Sequence, residues 1–290
     1  MDSKILNVID KMTAHSTYYR LIIGKYGLNN LPMEMISGKE IFTQKFQILD
    51  NRISPIQAES LYTYRSFCNR CEHELEILWS YNDIQKIERS LYRKRKFWYN
   101  VSCADKFCRN HQPGRGKNPF RTLDDIYFSP HKNFVSFSIE YDKQNDWERC
   151  LYYMDIFQPV WICFEDTFFK GLYKYIGDFN LAFPSSIKFA EIRSRVIPPV
   201  DYYNKLPFEY TVVLYDPVVA EFAYKCPMNQ FHLLEDLIYA EYPANQYERG
   251  TIVTSLSNSI FPIIRYSIPL VLHIETLNCE CGECGSIVKI

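Results

Sequence analysis

Two short cysteine–histidine half-sites, far apart in the chain, constrain this sequence most. Cys226 and His232 stand six residues apart in AYKCPMNQFHLLEDL (223–237), and Cys279 and Cys281 form a tight pair about fifty residues later in NCECGECG (278–285). Zinc in a structural role is held by thiolate and imidazole in a closed tetrahedron. If both half-sites grip one ion, the last strands must fold back against residues 226–232. Gly282 suits a chelating turn, because glycine reaches backbone angles that other residues resist. Three thiolates and a neutral imidazole would leave one net negative charge around Zn²⁺, and Cys284 is a spare ligand that can replace His232 or Cys281. The alternative is a set of unrelated thiols and a surface histidine. A metal held by four protein ligands would be structural and would stabilise the fold through its binding.

A second group, Cys68 and Cys71 with Cys103, Cys108 and His111, has the outline of a zinc site. Its second pair has four intervening residues, however, and a basic helix separates the halves. These residues are left unassigned. Ten cysteines in such a chain read as thiols or ligands rather than as a disulfide framework. Cys150 and Cys163, in helix-like and strand-like stretches, read as core, because reduced cysteine behaves as a small hydrophobe.

At 290 residues there is room for one large domain or two ordinary ones. A net charge of −1 gives the whole chain no electrostatic attraction to nucleic acid or membrane. The opening MDSKILNVIDKM lacks the apolar core of a signal peptide, and no apolar run approaches the ~20 residues of a spanning helix. The expectation is a soluble cytoplasmic protein. Residues 83–121 carry eleven Lys or Arg against three acids, with aromatics following the basic run Arg93 to Lys96. The reading preferred over a nucleic-acid surface is a solvated helix face.

Residues 1 to about 65 read as helices and turns, with STYYR (16–20) inside the first helical stretch and a second short amphipathic segment after Lys39. Ser80 and Asp83 have capping-box spacing, and Ile84, Ile87, Leu91 and Trp98 follow at helical intervals, predicting a helix over 81–97. Trp147, Leu151, Met154 and Phe157 mark another that stops before Pro159. VWIC (160–163) reads as a buried strand, followed by a helix through Phe168, Leu172 and Ile176. TVVL (211–214) and TIVT (251–254) are β-branched runs suited to sheet. Helices alternating with short apolar strands predict an α/β fold, and no linker divides the chain.

Beside these readings, the chain resembles the phenylacetate–CoA ligase branch of the adenylate-forming enzymes, including its capsule-biosynthesis-type members. The likeness rests on STYYR with LPMEMISGKEI (31–41), on residues 75–108, on QPVWIC (158–163), on LYDPVVAEFAYKCP with HLLEDLIYAEYP, and on GTIVTSLSNSIFPIIRY (250–266). It implies the large, mixed-sheet N-terminal domain of that fold, in three portions: a helical lead over 1–66, a helix-rich α/β core over 67–222 and a β-rich, zinc-linked portion over 223–290. Related ligases hold a structural zinc at places corresponding to Cys226, His232, Cys279 and Cys281, and stack adenine on a tyrosine corresponding to Tyr215.

The departures from the family pattern point the other way. The family's glycine-rich phosphate loop would be replaced by FCNRCE (67–72), which has no glycine for backbone amides to cradle a triphosphate. Val219 stands where a magnesium-binding glutamate is expected, with Glu221 a shifted substitute. Leu270 stands where an aspartate binds the ribose, behind Pro269. The chain is also expected to lack the family's smaller C-terminal domain and its catalytic lysine. Removing one charge-stabilising donor typically costs about 10²–10³ in rate. The expectation is therefore a homologue inactive on its own, with doubtful ATP or AMP binding, whose partner is a ligase or another pathway protein. The alternative is a divergent ligase subunit completed in trans.

Overall fold

The computed structural model describes residues 3–54, 61–68, 73–102, 104–111, 133–138, 144–199, 203–241 and 250–289. Helices α1 (Ser3–Thr13), α2 (Thr17–Tyr26), α3 (Gly38–Thr43) and α4 (Lys45–Ile48) lead the chain. Ser16 does not lie within the first helix. Its Oγ accepts from the Tyr19 amide at 3.4 Å and caps α2, so the chain breaks after Thr13 and STYYR opens the second helix. At α3, Ser37 and Glu40 form a reciprocal capping box.

The antiparallel hairpin of β1 (Tyr62–Cys68) and β2 (His73–Trp79) follows, then the long helix α5 (Tyr81–Tyr99). Ser80 caps α5, accepting from the Asp83 amide at 3.2 Å. The parallel half of the main sheet comprises β3 (Phe107–His111), β4 (Phe134–Ser138), β5 (Trp161–Glu165), β6 (Phe189–Ser194) and β7 (Glu209–Asp216). Helices α6 (Gln144–Phe157) and α7 (Asp166–Asp178) flank β5 in the chain. The antiparallel half adds β8 (Ala220–Lys225), β9 (Phe231–Leu233) and the hairpin of β13 (His273–Asn278) and β14 (Cys284–Lys289). The full order is β13-β14-β9-β8-β7-β6-β5-β3-β4. A smaller antiparallel sheet holds β10 (Ile238–Glu241), β11 (Thr251–Ser255) and β12 (Tyr266–Ile268).

Strand alternation builds two cores. Ile162, Phe164, Ala190 and Ile192 pack with Cys108, Cys150, Met154, Phe169 and Leu172 under α6 and α7. Trp161, Cys163, Phe189 and Val213 face the other way, into a larger core with Ile84, Ile87 and Leu91 of α5. A parallel strand covered on both faces must be apolar throughout, as WICF is. Each large apolar side chain so buried contributes about 1.5–3 kcal/mol.

One expectation needs correcting. The basic run on α5 is not wholly solvated: Arg95 is 1% exposed. It follows Leu91 by four residues and so shares the inward stripe. Its Nε and Nη2 donate to the two Glu191 oxygens at 2.6 and 2.7 Å, and Nη1 donates to Glu88 at 2.5 Å. The Tyr224 hydroxyl and the Cys163 thiol also donate to Glu191, at 3.0 and 3.3 Å. This network pins α5 to the middle of the sheet.

Candidate metal centre

Two hairpins of the antiparallel half bring the predicted ligands together. Cys226 follows β8 directly, in a turn closed by its own amide donating to Gln230 O at 2.8 Å. Asn229 takes the left-handed conformation the turn needs. His232 lies on β9, across from Tyr224 on β8 and Ile287 on β14. Cys279 and Cys281 occupy the turn between β13 and β14, where Gly282 has φ +86° and donates its amide to Cys279 O at 3.1 Å. Because β9 pairs with β14, the two turns sit side by side.

The ligand atoms of Cys226, His232, Cys279 and Cys281 lie within 4.8 Å of one another. Cys226 Sγ is 3.8 Å from Cys279 Sγ, and Cys281 Sγ is 3.4 Å from His232 Nε2. A tetrahedral zinc with its usual bond lengths has edges of about 3.8 Å between sulfurs and about 3.5 Å between sulfur and nitrogen. The donor set therefore fits a structural ion in both chemistry and spacing. The Cys284 side chain lies outside the described residues, as do Cys71 and Cys103. Cys108 is instead a core residue.

The local electrostatics disfavour bare thiolates. Burial pushes the Cys226 thiol up to about 12, with Cys279 and Cys281 adding to the rise against backbone amides that lower it. Burial likewise raises the Cys281 thiol and lowers His232, keeping the imidazole neutral. A bound divalent cation would reverse the balance for the thiols. Helix α5 supplies the outer wall. The Trp98 ring lies 5.1 Å from the His232 ring, Lys94 Nζ stands 5.2 Å from the Trp98 ring, and Lys94 pairs with Glu283 of the metal turn. Sequence reading left out Lys94, Trp98 and Glu283 as neighbours of the site. Their signal is weak: Trp98 lies on the apolar stripe of α5, but nothing local links it to residue 232.

Of the residues matched to a nucleotide site, Tyr215, Val219 and Glu221 lie at or just after the carboxyl end of β7. Tyr215 ends 4% exposed, with the guanidinium groups of Arg193 and Arg195 at 4.8 and 5.7 Å from its ring. Val219 is fully buried in the turn between β7 and β8 and belongs to the main core. Glu221, 1% exposed, is ion-paired to Arg193. Leu270 packs against the core after β12. Residues 69–72 of the expected phosphate-loop segment lie outside the described residues.

No family model and no curated protein matches the sequence. Solved structures do match. An open conformation of 2-hydroxyisobutyryl-CoA ligase in complex with 2-HIB-AMP and CoA superposes with a TM-score of 0.75 at 12% identity, covering 98% of this chain and 66% of that one. The same ligase in the postadenylation state with 2-HIB-AMP gives 0.75 and 12%, over 98% and 65%. The fold is thus that of the large domain of adenylate-forming ligases, and the chain spans just under two thirds of their length.

Proposed function

We propose that this chain is an adenylate-forming-ligase fold serving as a binding or structural accessory protein, held together by a structural zinc and unable to activate a carboxylate alone. The observation that carries this reading is Val219, a core side chain where the resemblance expects a carboxylate for magnesium. Glu221, the nearest substitute, is committed to Arg193, and Leu270 offers no oxygen for a ribose. With these groups replaced together, catalysis falls by more than any single donor accounts for, even with non-additive effects. The natural partner for such a protein is an active ligase or another enzyme of the same pathway. Calorimetry with ATP–Mg²⁺ on the purified chain tests the proposal: no saturable heat is expected, and low-micromolar binding would refute it.

A second reading has one observation in its favour. The match leaves about a third of the ligase structure uncovered, and a divergent enzyme would draw its missing groups from outside these residues. Pyrophosphate release with aromatic or fatty acids, appearing only when a second polypeptide is added, would establish that reading. No release under any pairing would eliminate it.

A further inference from the structure

A cavity of about 500 Å³ opens at the amino ends of the parallel strands, away from the carboxyl-end crevice where open α/β sheets bind ligands. Trp161, Phe189 and Glu209 on its wall are the first residues of β5, β6 and β7, and Tyr99 is the last of α5. Small-molecule sites run to about 300–1,000 Å³ and combine aromatic walls with a few placed polar groups. Here Tyr99, Trp161, Phe189 and Phe208 supply the aromatic walls. The Tyr99 ring packs 4.6 Å from that of Phe189, and its hydroxyl is tied to Lys225 O at 2.6 Å, so this wall is rigid.

The rim carries both signs of charge. Glu209 and Lys188 are exposed, and neither side chain makes a hydrogen bond or ion pair with another described residue. Lys188 immediately precedes β6 and Glu209 opens β7; Glu209 pairs in register with Phe189, and its amide donates to Lys188 O. Both residues line the cavity, so a cation and an anion share its rim beside the rings. Asp105 adds a second carboxylate, and the carboxyl end of α5 adds the negative pole of its helix dipole.

We propose that this cavity binds a free amino acid with an aromatic or large apolar side chain. The ammonium sits between Glu209 and Asp105 at the end of α5, the carboxylate meets Lys188, and the side chain enters among the rings. A simple organic cation would leave Lys188 opposed to it, and a simple acid would face two carboxylates. Only a zwitterion uses the whole rim. The site is independent of the proposal for the carboxyl-end crevice.

The test is titration calorimetry on the full chain with L-phenylalanine, 3-phenylpropionate and phenethylamine. Saturable binding of L-phenylalanine is expected, with each analogue weaker by about tenfold or more, the worth of one charge-assisted contact. Lys188→Gln and Glu209→Gln, both at exposed positions, should each weaken L-phenylalanine by a similar factor while leaving the melting transition in place. Three outcomes would overturn the proposal: no saturable binding at millimolar L-phenylalanine, equal binding of either analogue, or affinity unchanged in both variants.

Discussion

Arg95 carries its charge into the interior of the molecule, and what it meets there decides the cost. Both Glu191 oxygens and one Glu88 oxygen accept from it, which satisfies the guanidinium that burial would otherwise penalise. Removing one partner strands the rest. Glu191→Ala is expected to cost about 3–5 kcal/mol in urea denaturation. The network also fixes an acid response. Burial opposes the Glu191 carboxylate, but Arg95 and the hydrogen bonds from Cys163 and Tyr224 outweigh it and hold its pKa below the ordinary glutamate value. The stabilisation is complete above the unfolded-state pKa and is lost as pH falls through the lower folded value. Unfolding free energy should therefore decline below about pH 4.5, with a shallower decline in Glu191→Gln. At this scale the clustering of Cys226, His232, Cys279 and Cys281 was legible, because residue type and spacing carry the chemistry. The ion-pair network was not, since Arg95 and Glu191 lie 96 residues apart. What the sequence did offer was the four-residue step from Leu91, which puts Arg95 on the buried stripe.

Among the elements, α5, α6, β5, α7, β7 and β11 follow from apolar period and capping alone, with ends shifted by a residue or two. Helix α5 runs to Tyr99, past the expected 97, and stops where Asn100 takes a left-handed conformation. Ser80→Ala should remove its amino-terminal cap at a cost of about 1 kcal/mol, read from the denaturation midpoint. The three-residue strands β9 and β12 are too short to carry a period, and β1 begins inside a segment read as helices and turns. Pairing partners, β2 for β1, β8 and β14 for β9, and β11 for β12, make these strands, not local preference. The hairpin of β13 and β14 has such a partner in β9, which sets its Cys279–Cys281 turn beside Cys226 and His232. Chelation, or Cys279→Ser, is expected to reduce bound zinc from one per chain to a trace by elemental analysis. The same change should speed amide exchange in β13 and β14 while the parallel strands keep their protection. Unchanged exchange would argue that the turns hold without metal.

For the whole molecule, alternating helices and strands were enough for an α/β class and the family resemblance for a mixed sheet, whereas the nine-strand order was not legible. Long-range strand pairing leaves little trace in one sequence: β7, β8 and β9 pair as chain neighbours, as do β13 and β14, but the contact that joins the two sets brings Ile287 beside His232. Among the described residues, no helix is long and apolar enough to cross a membrane. Val219 lies in the core, Glu221 is ion-paired to Arg193, and Leu270 packs against the core. The central claim is that a scaffold so altered no longer activates carboxylates by itself. Its most direct test is to incubate the purified, zinc-loaded chain with ATP–Mg²⁺ and a panel of carboxylic acids and to measure pyrophosphate and acyl-AMP. Release at the level of the protein-free control is the predicted result; acyl-AMP accumulating in proportion to this chain alone would contradict it.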